Sequence, residues 1–172
     1  MRLSVIFGTR GNEFSFPHLQ RIFRALQQQT FQDFQVIVIM DRKFKDKEER
    51  DTLLHHCAFE KNFKTLYAKT TFFTNINSDF RPSSHNASNA SYVRNYGIAQ
   101  ADTELIQLFD DDNAFGEEYL EKAVAYYDKQ KQQQQTEVVI CPSMYYRDTD
   151  QIQNQGFSHY NYLQSRPMVH YL

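Results

Sequence analysis

Leu3-Ser4-Val5-Ile6-Phe7-Gly8-Thr9 and, one helix's length later, Phe34-Gln35-Val36-Ile37-Val38-Ile39-Met40-Asp41 are the stretches from which the fold is read. Val5, Ile6 and Phe7 are consecutive, as are Val36, Ile37, Val38 and Ile39. Unbroken apolar runs of this length, closed by Gly, Asp or other polar residues, mark strands buried on both faces, as in parallel sheets. Between them the period changes. Leu19, Ile22, Phe23 and Leu26 fall at i, i+3, i+4 and i+7, and Pro17 suits a first helical turn. Residues 17–29 are therefore predicted to form an amphipathic helix, completing a β-α-β unit.

Working outward, the alternation continues. A charged helix is predicted over 46–58, with Leu53, Leu54 and Cys57 on one face, and a short strand over 65–68. Residues 69–90 are rich in Thr, Asn and Ser, contain Pro82, and read as a long functional loop. Asn86-Ala87-Ser88 and Asn89-Ala90-Ser91 match glycosylation acceptors but read as polar loop and helix cap. A helix over 91–100 carries a stripe of Tyr92, Val93, Tyr96 and Ala99, and a strand follows over 105–109. Leu120, Ala123, Val124 and Tyr127 define another helix, fading into the glutamines 132–135, and a last strand starts at 138–140 and runs toward Tyr146. The prediction is an α/β fold, a mainly parallel sheet with helices on both faces. Ligands of such sheets sit at the carboxyl ends of the strands.

The composition agrees and narrows the function. With 172 residues, 41% hydrophobic and 23% charged, the chain can bury one sizeable core. A chain this long hides roughly 70% of its unfolded surface and needs no disulfide or metal to fold. Lys plus Arg is 19 against 21 Asp plus Glu, a formal charge of −2 that argues against nucleic acid as a partner. Cys57 and Cys141 suggest neither a disulfide framework nor a thiolate metal site, and a reducing compartment fits them. The apolar run 3–7 is too short for a signal peptide or a membrane span. A cytoplasmic protein is expected, with peripheral attachment to the inner face of a membrane left open. None of the six histidines shows metal-ligand spacing. The tail aromatics Phe157, Tyr160, Tyr162 and Tyr171 read as packing or an association surface, with an acceptor platform as the functional alternative.

The strand ends supply Thr9 and Arg10, Asp41 and Arg42, and Asp110, Asp111 and Asp112. If the chain stays extended, Asp110 and Asp112 project to the same side and Asp111 to the other. Neighbouring carboxylates repel unless a cation compensates, and oxygen-only ligation suits Mg²⁺ or Mn²⁺ sharing its shell with phosphate. The bland alternative is that Asp111 or Asp112 caps the next helix. Asp41 suits a ribose hydroxyl or a base imide, or is simply a turn residue. Arg94 suits a phosphate or an aspartate of the cluster, or is a solvated helix charge. Gly8 and Gly11 do not make a dinucleotide fingerprint, so phosphate charge would be met largely by metal.

Taken in order, residues 3–10, Gln29-Thr30-Phe31 with 34–41, Arg94-Asn95 with Gly97, and 109–113 resemble the family 2 glycosyltransferases of GT-A fold. The resemblance covers residues 1–146. It implies a GT-A (Rossmann-like) three-layer sandwich, with a nucleotide-sugar-binding domain over 1–147 and an acceptor-side segment opening over 148–172. It implies that Thr9 and Asp41 hold the nucleotide base, with Arg10 beside them. Arg94, Asp110 and Asp111 then contact the nucleotide-sugar, while Asp110 and Asp112, of the Asp-x-Asp motif, hold Mn²⁺ or Mg²⁺. The implied reaction is inverting transfer from a UDP-sugar to an acceptor hydroxyl on carbohydrate, a lipid-linked compound or protein.

The chain departs from the family pattern where Arg42 stands in place of a second acid, and the Gln/Arg-x-x-Arg-Trp motif is missing, since there is no Trp. Asp148 and Asp150 do not match the family's base, and no general base is assigned. The ending 166–172, without a polar tail, leads to the expectation of a shortened chain or an unusually small homologue. Two alternatives stand beside transfer. One is a noncatalytic nucleotide-sugar binding module. The other is a nucleotidyltransferase of related fold, whose first loop Gly8-Thr9-Arg10-Gly11 matches only weakly.

Overall fold

The computed structural model describes residues 1–11, 15–41, 48–49, 51, 59–74, 89–134, 144–146, 151–153 and 170–171. Its centre is the predicted β-α-β unit: β1 (Leu3–Thr9), α1 (Phe16–Gln27) and β2 (Phe34–Met40). Two short helices follow, α2 (Phe59–Asn62) and α3 (Lys64–Tyr67), then β3 (Thr70–Phe73), α4 (Asn89–Gln100), β4 (Leu105–Asp110) and α5 (Tyr119–Gln134). β5 (Met144–Tyr146), β6 (Gln151–Gln153) and β7 (His170–Tyr171) complete the described elements. The main sheet runs β3-β2-β1-β4-β7, and each of its pairings is parallel.

Strand alternation divides the core. Leu3, Val5 and Phe7 of β1 face one way, with Val36, Val38 and Met40 of β2, and are covered by Leu19, Ile22, Phe23 and Leu26 of α1 and Leu120, Val124 and Tyr127 of α5. Ile6, Ile37, Ile39 and Ile106 face the other way and are covered by Val93 of α4. The sheet thus carries helices on both faces in three layers, which is why its strands read as unbroken apolar runs.

Three expectations need correction. Residues 65–68 are not a strand: Lys64–Tyr67 is helical, with Leu66 buried, and the strand is Thr70–Phe73, inside the segment read as loop. The Thr-Thr-Phe-Phe run suits a strand, and Val36 N–H donates to the Lys69 carbonyl at 3.0 Å to start the pairing. On α4 it is Gly97, not Ala99, that is buried. The segment near Tyr146 does not extend the parallel sheet: β5 pairs antiparallel with β6, and β7 lies beside β4.

Glu48, Glu49 and Asp51 are helical as expected. Leu53, Leu54, Cys57, Pro82, the 86–88 acceptor, the 138–140 strand start, Cys141 and Phe157, Tyr160 and Tyr162 lie outside the described residues. No helix among the described residues is long and apolar enough to cross a membrane.

Candidate functional site

Parallel pairing carries the ends of β1, β2 and β4 to one edge. Thr9 is in register with Met40, and Gly8 with both Ile39 and Asp110. The Asp41 N–H donates to the Thr9 carbonyl at 2.8 Å, locking the two strand exits together. Thr9 is buried, and its Oγ1 accepts from the Gly11 N–H at 3.5 Å. Gly11, at a φ of 62°, takes the left-handed conformation that this turn requires. Asp41 is half-buried and Arg10 exposed.

Arg94 reaches this edge because α4 lies directly on β1. A Cβ on Gly8 would overlap Val93 Cγ1, and one on Gly97 would overlap Ile6 Cγ2. Val93 and Gly97 are one helical turn apart, and Ile6 and Gly8 are successive residues of one strand face, so bulk meets gap at both levels. Arg94, beside Val93, forms an ion pair with Asp110.

The acidic run is not extended past Asp110. Asn113 N–H donates to the Asp110 carbonyl at 3.0 Å, while Asp110 N–H donates to Asn113 Oδ1 at 2.9 Å. Residues 110–113 form a tight turn with Asp111 and Asp112 at its centre, so strand alternation does not decide where their side chains project. Helix capping also fails as an account of them. α5 begins only at Tyr119, and its Leu120 N–H is satisfied by Gln29 Oε1 at 2.9 Å. Beneath the turn Phe109 stacks on Phe115, centroids 4.3 Å apart, with Tyr119 against both rings.

The structure therefore brings together Thr9, Asp41, Arg94 and Asp110, and sets Asp111, half-buried, and Asp112, exposed, on the adjoining turn. Arg10 leaves the same edge. Arg42, Asp148 and Asp150 lie outside the described residues. Two residues have supporting roles that the sequence reading did not assign. Gln29 is buried and donates to the Ala25 and Gly116 carbonyls at 3.1 and 2.7 Å, tying α1 to the approach to α5. A polar residue just past an amphipathic helix is the signal that could have flagged it. Arg21 of α1 contacts the acidic turn, and nothing in its sequence context announces that.

A family model described as glycosyl transferase family 2 matches residues 5–168. The chain belongs to glycosyl transferase family 2. Among solved structures it is similar to S. aureus TarS, at 20% identity and a TM-score of 0.53 over 81% of this chain and 21% of that one. TarS 1-349 in complex with UDP-GlcNAc gives 23% identity and a TM-score of 0.50 over 75% of this chain and 32% of that one. The mannosyltransferase PcManGT from Pyrobaculum calidifontis, in complex with GDP-Man and Mn²⁺, gives 14% and 0.54, over 83% and 36%. At these identities the likeness is one of fold, the GT-A type, and this family 2 chain spans between 21% and 36% of those chains. Comparison with curated proteins gave no match.

Proposed function

We propose that this chain is the donor-binding part of a glycosyltransferase that moves a sugar from a nucleotide-sugar, foremost a UDP-sugar, to an acceptor hydroxyl. The observation that carries this is the meeting of Thr9, Asp41 and the Arg94–Asp110 pair at one strand edge, in a family 2 chain. Thr9 and Asp41, with Arg10 beside them, engage the base and ribose. Arg94, already at Asp110, is within reach of the diphosphate and suits it as a planar, permanently charged donor.

The residues present fit a divalent cation. Carboxylates gathered on one tight turn offer hard oxygen donors, the set preferred by Mg²⁺ and Mn²⁺. Among the described residues no group of three or more His, Cys, Asp or Glu side chains is placed to hold a metal alone. Asp110 and Asp112 would hold such an ion, leaving oxygen ligands to come from the donor. Such an ion, when bound, neutralises charge on the departing diphosphate. Asp111 would contact the donor as a third carboxylate of the turn.

In the transfer itself the acceptor oxygen bonds to the anomeric carbon as the bond from that carbon to the diphosphate breaks, and the acceptor proton passes to a carboxylate base. Attack from the opposite side inverts the anomeric centre. No described residue is assigned as that base.

Calorimetric titration of the chain with UDP, UDP-GlcNAc and GDP-Man, with Mn²⁺, with Mg²⁺ and with EDTA, tests the reading. Binding that needs the metal and favours a uridine nucleotide is expected. If no nucleotide binds with either metal, donor binding at this edge is refuted, and binding without transfer by a longer chain would point to a noncatalytic module.

A further inference from the structure

Arg21 stands on the exposed side of α1. Its Nη2 donates to the Asp112 carbonyl oxygen at 2.8 Å, and the same nitrogen lies 3.1 Å from His18 Nδ1. A guanidinium Nη carries two hydrogens in a fixed fork, so one can serve the carbonyl and the other an unprotonated Nδ1. His18 precedes Arg21 by three residues, on the same helix face. The contact is with the backbone of Asp112, not with its carboxylate. Helix α1, anchored by five buried apolar residues, thereby grips the middle of the acidic turn.

We propose that Arg21, oriented by His18, is a positioning residue: it clamps the 110–113 turn through the Asp112 carbonyl and so sets the cation affinity of Asp110 and Asp112 without touching the ion. The affinity half rests on the metal reading above. The clamp itself does not. Charge and clamping act in opposite directions here, which makes the idea testable. Removing a positive charge from beside an acidic site should, by Coulomb attraction alone, tighten cation binding. Losing an outer support of the ligands should weaken it.

The test compares wild type, Arg21→Ala and Arg21→Lys as full chains, with two readouts. The first is amide hydrogen exchange without metal. Exchange at Asn113, whose N–H closes the turn, should speed up about fivefold in Arg21→Ala while the amides of α1 are unchanged, and Arg21→Lys, which keeps a donor, should recover part of the protection. The second is Mn²⁺ titration followed by the electron paramagnetic resonance of the free ion. Arg21→Ala should bind Mn²⁺ about 3- to 10-fold more weakly, at or below the low end for loss of an outer-shell partner. Unchanged exchange at Asn113 would overturn the clamp, and tighter Mn²⁺ binding by Arg21→Ala would overturn its effect on affinity. A wild-type chain that takes up no Mn²⁺ would instead defeat the metal reading and the affinity half with it, and the exchange data would still decide the clamp.

Discussion

Asp110 belongs at once to a strand, a turn and an ion pair. Its backbone closes the turn with Asn113, and its carboxylate meets Arg94. The paired side chains keep 55% and 36% of their surface exposed, so the pair contributes little to stability, on the order of 0.5 kcal/mol, and can open when a ligand competes. Asp110→Asn and Asp112→Ala should therefore leave the thermal midpoint nearly unchanged. Each should abolish the metal-dependent part of UDP affinity in a calorimetric titration. A wild-type metal response in Asp112→Ala would remove that carboxylate from the site. Gln29 is the opposite case, a buried polar side chain whose bonds are local to the core. Gln29→Leu strands the Leu120 N–H, while the Gly116 carbonyl keeps the Tyr119 N–H, and a loss of about 2 kcal/mol is expected, read as a lower urea midpoint at unchanged slope.

At the level of elements, the distance between α4 and β1 decides whether Arg94 can reach Asp110. Gly8 and Gly97 permit the close approach, and the atoms they face are branch methyls of Val93 and Ile6, held by stiff χ1 torsions. Gly97→Ala gains roughly 1 kcal/mol of helix propensity. Overpacking against Ile6 should outweigh that gain, for a net destabilisation of about 1 kcal/mol. Gly8→Ala should cost about 2 kcal/mol, and Val93→Ala in the same chain should restore much of it, a coupling measurable by a double-mutant cycle. Additive effects of the two substitutions would show that the glycine does not set the helix position. The element scale is also where sequence reading failed. The 65–68 segment and Thr70–Phe73 are both short, with apolar and β-branched residues in each, and periodicity over four residues cannot separate a helical turn from an edge strand.

Across the whole molecule the two ends of the sheet do different work. At the amino edge, about 20 Å from the site by strand rise, Arg2 donates to Glu104 Oε2 at 3.3 Å and pairs with Asp128, while Lys131 donates to Glu104 Oε1 at 3.0 Å. The hydrogen bond from Arg2 holds the Asp128 carboxyl below its ordinary range, and that from Lys131, aided by Arg2, does the same for Glu104. A carboxyl depressed on folding stabilises the protein fully above its unfolded value, near pH 4, and that stability is lost as pH falls through the lower folded value. With side chains 30 to 43% exposed, solvent screening limits the contribution to about 0.5 kcal/mol. The urea midpoint of wild type should exceed that of Arg2→Met at pH 7 and converge with it at pH 2, and donor binding at pH 7 should be the same in both. A difference that persists in acid would mean that Arg2 acts through packing instead.

Local order along the chain determined the β-α-β start, the apolar faces of α1 and α5, and the residues that end β1, β2 and β4, because alternation and helical period are written in successive side chains. It also presented Thr9, Asp41 and the three aspartates as candidates, since strand ends are where an α/β sheet places its ligands, and Arg94 as a helix guanidinium suited to phosphate or to the aspartates. Tertiary structure alone decided the rest. The bridge from Gln29 to α5, the contact of Arg21 with Asp112 and the packing of Gly97 on Ile6 each join residues far apart in sequence. Such contacts depend on how closely two finished elements approach, a distance set by packing between surfaces and not by the period within either one.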